Sequence, residues 1–426
     1  MIATLRQRNF ALLWSGGLIS QTGDWLLNIG LTVYVYLLTG SALATSIVLI
    51  TEFVPSVFLG SIAGVFVDRW DRRQTMIVAN LLLALGLLPL LFVHDKSLLW
   101  VIYSVQFFEA CVSQFVLPAE SALIPNLVKE DELVPANALK SISMNTSRLA
   151  GAALGGLLVG LAGLTSVILL DIVSFLFVCL MIWCIRMPER SIPVPSIEDT
   201  SEGASAIITT TTKHLLHEWL EGMQLIYRQR PLLILFIVIA MQGLGEGVFG
   251  VLLIVFVKKV LDSGAVAYGL LNSVQAVGSL LGGVIVGPLG KQVPTVYLLG
   301  VSCFVFGIID LLIVDIPLFL PSLLLVAALF VLVGIPAIAM SVGLNALLQS
   351  TVEDKLRGRI FGAFLAVQAL TVLIGMGLAG ALGDRLGVVP MLNIQGSVYV
   401  LSGILVIFVL GRTRLLHKDT QEGQVL

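Results

Sequence analysis

The chain has 426 residues, 58% of them hydrophobic and only 12% charged, with a formal net charge of −2. Soluble domains carry roughly 45–50% apolar and about 25% charged residues, so a soluble fold cannot hide this much apolar surface. Near-neutrality likewise removes the electrostatic footprint of a nucleic-acid binder. A hydrocarbon core needs about 20 residues of helix to cross it. Stretches of that length and polarity fall near 10–38, 43–67, 74–93, 98–118, 140–162, 165–185, 231–257, 265–289, 294–314, 318–341, 359–383 and 389–411. The fold class expected is therefore an all-α, multi-pass membrane protein of twelve spanning helices.

The first stretch is too long for a cleaved signal peptide and carries Asp24 in its middle, so it is expected to stay in the mature protein. At about 100° per residue, Gln21, Asp24, Asn28 and Thr32 fall within about 80° of one another. Such a stripe is costly against lipid and makes sense facing a wet cavity or a partner helix. Asp24 is read as cavity-facing, with a structural hydrogen bond as the alternative. Trp25 lies beside it.

The second span carries Glu52 at mid-length and ends in Gly60-x3-Gly64-x3-Asp68-Arg69-x-Asp71-Arg72-Arg73. Glycines four apart let a neighbouring backbone approach closely, and the charges that follow sit at the membrane surface. This stretch is read as a gating motif; the alternative is that Arg69, Arg72 and Arg73 only fix topology. Glu109 lies mid-way along the fourth span, with Gln106 and Ser113 one turn to either side. Glu52 and Glu109 are each expected either to bind a proton or a cationic substrate or to pair structurally. The fifth span shows Arg148 and a small-residue face of Gly151, Gly155, Gly156 and Gly160.

A polar break from about Arg186 to Pro231 divides the spans six and six. Its first part, rich in Ser, Thr, Pro and Glu, reads as disordered. Its second part, Lys213 to Arg230, puts Leu215, Leu216, Trp219, Leu220, Met223 and Ile226 on roughly one helical face. That suggests either an interfacial helix or a plain lead-in to the seventh span. The domains expected are a six-helix bundle at 1–190, a linker at 191–230, a second bundle at 231–414 and a tail at 415–426. In the seventh span Gln242 and Glu246 are one turn apart among Gly243, Gly245, Gly247 and Gly250, with Phe249 beside them.

A shift of 222 positions superposes Gly23-Asp24 on Gly245-Glu246, Val33-Tyr34-Val35 on Val255-Phe256-Val257, Gly60 on Gly282 and Arg69 on Lys291. Two halves in the same orientation are a parallel repeat. With a cytoplasmic N-terminus, only Lys96, Lys258, Lys259 and Arg385 fall on the outer side. That bias puts both termini in the cytoplasm of a cell-membrane protein.

The loop motif from Gly60 to Arg73 resembles that of the major facilitator superfamily, and the resemblance covers essentially the whole chain. Further segments are similar to the drug–proton antiporter branch that includes macrolide efflux pumps and siderophore (enterobactin) exporters. They are Gly23-Asp24, Pro118-Ala119, Ala122-Leu123-Ile124-Pro125, Leu170-Asp171 with Ser174-Phe175, Glu221-Gly222 and Arg357-Gly358-Arg359. The resemblance implies that Asp68 contacts the start of the eleventh span when the protein is open to the outside, and that the sixth and ninth spans are peripheral. Asp171 and Asp310 would then be structural. Departures are Asp71 where many members have Gly, no Arg between Tyr103 and Glu109, and Ala152 where antiporters often have Pro.

All four histidines lie in loops or tails, which leaves the intramembrane carboxylates Asp24, Glu52, Glu109, Asp171, Glu246 and Asp310. With Asp171 and Asp310 set aside as the resemblance implies, Asp24, Glu246, Glu109 and Glu52 are the candidates for proton or substrate binding. Gln21, Trp25, Asn28, Thr32, Gln242 and Phe249 are expected to line the cavity; Tyr34, Phe107 and Phe108 are further aromatic candidates. The four cysteines show no ligand spacing, and no nucleotide loop, metal cluster or nucleophile constellation appears. No enzymatic activity, metal or cofactor is expected. The expected partners are protons, the bilayer and a small amphipathic substrate, moved outward by alternating access by a monomer. A lysolipid or lipid flippase and a non-transport sensor or assembly protein are the alternatives.

Overall fold

The computed structural model describes residues 2–67, 70–185, 229–290, 292–352 and 356–411. The expected linker, its interfacial helix, the tail and the pair Asp68 and Arg69 lie outside them, apart from Gln229 and Arg230 at the linker's end. Among the described residues there is no strand, and ten helical segments are long and apolar enough to cross a membrane.

After one turn of helix at Ile2–Leu5, the first half runs α1 (Arg8–Thr39), α2 (Ala42–Val67), α3 (Arg72–Gly86) and α4 (Leu99–Leu127). A continuous run of 51 residues, Leu133–Trp183, follows. At about 1.5 Å per residue it would be more than twice as long as a hydrocarbon core of about 30 Å. Gly163 breaks it, with φ 75° and ψ 173°, a left-handed φ that a residue with a Cβ rarely adopts. We call the arms α5 (133–162) and α6 (164–183). The second half comprises α7 (Arg230–Lys259), α8 (Ala265–Leu289), α9 (Thr295–Asp315), α10 (Leu323–Thr351), α11 (Arg357–Leu386) and α12 (Val388–Leu405). Dividing the long run and counting α1, whose polar stripe lowers its apolarity, gives twelve long helices among the described residues.

Several helices exceed the apolar stretch that announces them. The fourth was expected to end at 118 and reaches Leu127 in spite of Pro118 and Pro125; the tenth was expected to end at 341 and reaches Thr351. Both run past the hydrophobic window into sequence with Asn, Gln, Ser and Thr, where water or neighbouring side chains can satisfy the last carbonyls. Capping residues set other ends. Asp71 accepts from the backbone N–H of Gln74 at 2.7 Å to start α3, and Ser322 accepts from Leu325 to start α10.

Within each half, α1 lies against α5 and α6, α2 against α4, α7 against α11, and α8 against α10. The halves meet through α5 on α8 and α2 on α11. One buried cluster contains residues of both halves, among them Ile29, Ala42, Ala152, Leu252, Ala265 and Ala379. It sits at the end where α1 turns into α2 and α7 into α8. At the opposite end, which carries the N-terminus, the buried clusters around Phe10 and around Leu232 each belong to one half alone. Among the described residues the halves are thus joined at the far end and separate at the N-terminal end.

The join depends on small residues. A Cβ on Gly156 would lie 2.4 Å from the carbonyl oxygen of Ala265, and one on Gly269 would lie 2.5 Å from that of Ala152. On the other side of the join, the Asp384 carboxylate near the end of α11 accepts from the backbone N–H of Ala42 at 3.1 Å and from the Ser41 hydroxyl at 3.0 Å. It caps the exposed N–H groups that open α2.

Candidate functional site

The first half encloses a cavity of about 320 Å³, lined in part by Asp24, Trp25 and Asn28 of α1, Glu52 of α2, Glu109 of α4 and Asp171 of α6. Four carboxyl groups from four helices therefore face one space about halfway along α1. No Lys, Arg or His lines it, while the neutral polar side chains Asn80, Gln106 and Ser113 do. The Asn28 amide donates to the Glu52 carboxylate, tying α1 to α2. One oxygen of Glu109 is buried without a hydrogen-bond partner.

Asp171 departs from the expectation that the sixth span stands apart from the cavity. Its residue is fully buried, it lines the same cavity, and Ser174 Oγ lies 3.0 Å from its Oδ1 and 2.8 Å from its backbone carbonyl oxygen. The reason is Gly23. A Cβ there would lie 2.2 Å from Asp171 Oδ1 and 2.7 Å from Ser174 Oγ. Two motifs read separately in the sequence, Gly23-Asp24 and Asp171 with Ser174, thus interlock. The available signal was an Asp–Ser pair one turn apart on an otherwise apolar helix.

The stripe on α1 divides. Asp24 and Asn28 face the cavity, whereas Thr32 is buried with its hydroxyl donating to the Asn28 carbonyl at 2.8 Å. Gln21 faces a separate small cavity near the Lys140–Glu120 ion pair, whose atoms are 2.8 Å apart. Trp25 lines the main cavity and carries the Arg148 guanidinium 5.6 Å from its ring centroid. Tyr34 instead donates to the Val93 carbonyl, and Phe108 packs on Gly86, away from this space.

The second half does not bring its candidates to that cavity. Gln242 contacts Cys303 Sγ at 3.2 Å, and its carbonyl accepts from the Tyr399 hydroxyl at 3.0 Å. Phe249 packs on Phe330 with ring centroids 6.1 Å apart. Glu246 is exposed on α7 and is not among the residues that line that cavity.

The gating stretch is described only in part. Gly60 has nothing closer to a notional Cβ than Gln114 Oε1 at 3.6 Å, so no backbone presses on it in this arrangement. Its repeat counterpart Gly282 does show the close approach, with Ile335 Cα 2.8 Å from a notional Cβ. Gly64 lies in α2. Arg72 donates to the Ala122 carbonyl at 2.9 Å, and Arg73 donates to the Ile182 and Trp183 carbonyls at 3.1 and 2.7 Å. The two arginines therefore hold α4 and the end of α6 against the start of α3, beyond any effect on topology.

Two six-helix halves joined at one end, with a polar cavity between helices, define a transporter of the major facilitator type. Residues 1–422 match the transmembrane secretion effector family (MFS_3), and the chain belongs to it. It is 24% identical to macrolide efflux protein A of Streptococcus pyogenes, over 92% of this chain and 93% of that protein. It is 20% identical to the staphyloferrin A transporter of Staphylococcus aureus (strain NCTC 8325 / PS 47), over 94% of this chain and 96% of that protein. Among solved structures, a bacterial homologue of the iron transporter ferroportin in an inward-facing state superposes with a TM-score of 0.72 at 15% identity. That superposition covers 94% of this chain and 98% of the other. The chain is a multi-pass membrane transporter, not an enzyme.

Proposed function

We propose that the protein exports small amphipathic molecules, of the macrolide or siderophore kind, by alternating access driven by proton entry. The observation that carries this reading is the cavity bounded by Asp24, Glu52, Glu109 and Asp171. Carboxyl groups held away from any lining cation can take up and release protons as the cavity opens to one side and then the other. Glu246, which the internal repeat aligns with Asp24 and which is exposed on α7, is the second-half counterpart that senses substrate or proton. The bundles at 1–190 and 231–414 rock about their joined end, with the 191–230 linker as tether, and Asp68 latches the opposite end when it closes. Both termini are cytoplasmic and the working unit is a monomer. The names of the macrolide and staphyloferrin A transporters support the substrate class.

The test is efflux of a macrolide from proteoliposomes with and without an imposed proton gradient. Gradient-driven export that disappears in Asp24→Asn is expected; full coupling in that variant removes Asp24 from its role. A flippase reading draws on a different feature, a groove of about 670 Å³ between α3 and α4. Its lining is polar at Asp71, Gln74 and Thr75 near the start of α3 and apolar at Val78 and Leu82 further along that helix. Headgroup-dependent lipid movement without a proton gradient would favour it.

A further inference from the structure

We propose that Asp171 is a proton-holding residue of the transport cycle, kept in the cavity wall by Gly23 and Ser174. The inference rests on the proton-coupled reading above and adds a residue on α6 to it. The argument begins with hydrogen-bond inventory. Asp171 lines the cavity as a residue and is fully buried, and among the described residues its Oδ2 has no hydrogen-bond partner. Its Oδ1 has one neighbour, Ser174 Oγ at 3.0 Å, and that same hydroxyl lies 2.8 Å from the Asp171 backbone carbonyl. A serine hydroxyl has one proton to give. Spent on the carbonyl, it leaves Oδ1 facing a lone pair, a contact that a proton on the carboxyl turns into a full hydrogen bond. A proton on Asp171 therefore completes the local pairing, which an ionised acceptor-only carboxylate does not.

The charged and titratable groups around it favour the same role. Asp24 on α1, Glu52 on α2 and Glu109 on α4 line the same cavity. On α3, Arg72 and Arg73 are committed to backbone carbonyls of Ala122, Ile182 and Trp183. On α5, Arg148 lies over Trp25, and Lys140 is paired with Glu120. The cavity lining thus offers Asp171 acids to exchange a proton with and no cation to pair with.

Infrared pH titration of the full chain in lipid vesicles, without substrate, tests the proton directly, because a protonated buried carboxyl has its own carbonyl band. Asp171→Asn should delete one such band. In a companion macrolide efflux assay it should flatten the pH profile of gradient-driven export. Gly23→Ala keeps the acid but places a methyl where Oδ1 now sits, so the band should persist at a shifted frequency. An Asp171→Asn protein that is folded and retains every band overturns the proposal. So does a Gly23→Ala protein with an unshifted band, which decides the matter if Asp171→Asn fails to insert. If wild type shows the band but no gradient-driven export, the coupled-transport reading fails while the assignment of a proton to Asp171 stands.

Discussion

Gly23 and Gly245 occupy equivalent places in the internal repeat, one on α1 and one on α7, and each makes room for a side chain from the sixth helix of its half. At Gly23 the guest is the Asp171 carboxylate; at Gly245 it is the Tyr399 ring, 2.6 Å from a notional Cβ. The difference propagates. Around Gly23 there is a cavity walled by acids, whereas around Gly245 the Tyr399 ring packs on Phe306 at 4.7 Å and bonds the Gln242 carbonyl. The same place on the scaffold receives a carboxylate in one half and an aromatic ring in the other. The asymmetry teaches that repeat symmetry conserves where a close approach occurs without conserving what it is for.

The largest effect that would test this division comes from neutralising the paired acids separately. Asp24→Asn is expected to lower gradient-driven export by roughly 10²-fold, the lower end of what a proton-transferring side chain contributes. Glu246→Gln should cost much less. Equal losses, read in the same vesicle assay, would erase the distinction between the halves. Next comes Gly245→Ala, which forces a methyl into the Tyr399 ring. It should destabilise the second half by about 1–3 kcal/mol, the usual range for overpacking. A lowered unfolding temperature with unchanged pH dependence of transport would sharpen the contrast with Gly23→Ala.

Tyr399→Phe removes one hydrogen bond and keeps the ring. It should lose about 1 kcal/mol of stability and none of the proton coupling, a result checked by thermal unfolding beside the transport assay. The smallest effect is expected from Asp384→Asn, which weakens the cap on α2 by about 0.3–1 kcal/mol. Cysteine labelling from the joined end should then find a modestly larger open population. No change there would mean that the apolar seam alone holds the halves together.

Much of the fold was legible because the bilayer imposes a length on apolar helices, and the repeat was legible because Asp24 and Glu246 are rare acids in apolar surroundings. The Gly163 break also fell where the apolar pattern paused, between 162 and 165. The site was harder to read. Angular arithmetic on α1 found Asp24 and Asn28, yet it also selected Gln21 and Thr32, which face elsewhere. A stripe about 80° wide can border more than one neighbour, and its own sequence does not name them. Asp171 was misplaced because its position depends on a contact with α1 nearly 150 residues away, permitted by the absence of a single Cβ. In the second half the glycines around Gln242 do admit close neighbours, Thr371 and Tyr399, while Gln242 and Phe249 are drawn into contacts with Cys303 and Phe330 that the helix's own sequence does not name.

The seam that joins the halves has a thermal consequence. Parting it would wet apolar surface at Ala42, Ala152, Leu252 and Ala265, all now nearly dry. Hydration of apolar surface carries a positive heat-capacity change. The balance between the arrangement described here and one opened at the joined end should therefore curve with temperature, and the hydrophobic hold on the seam should loosen as the membrane is cooled.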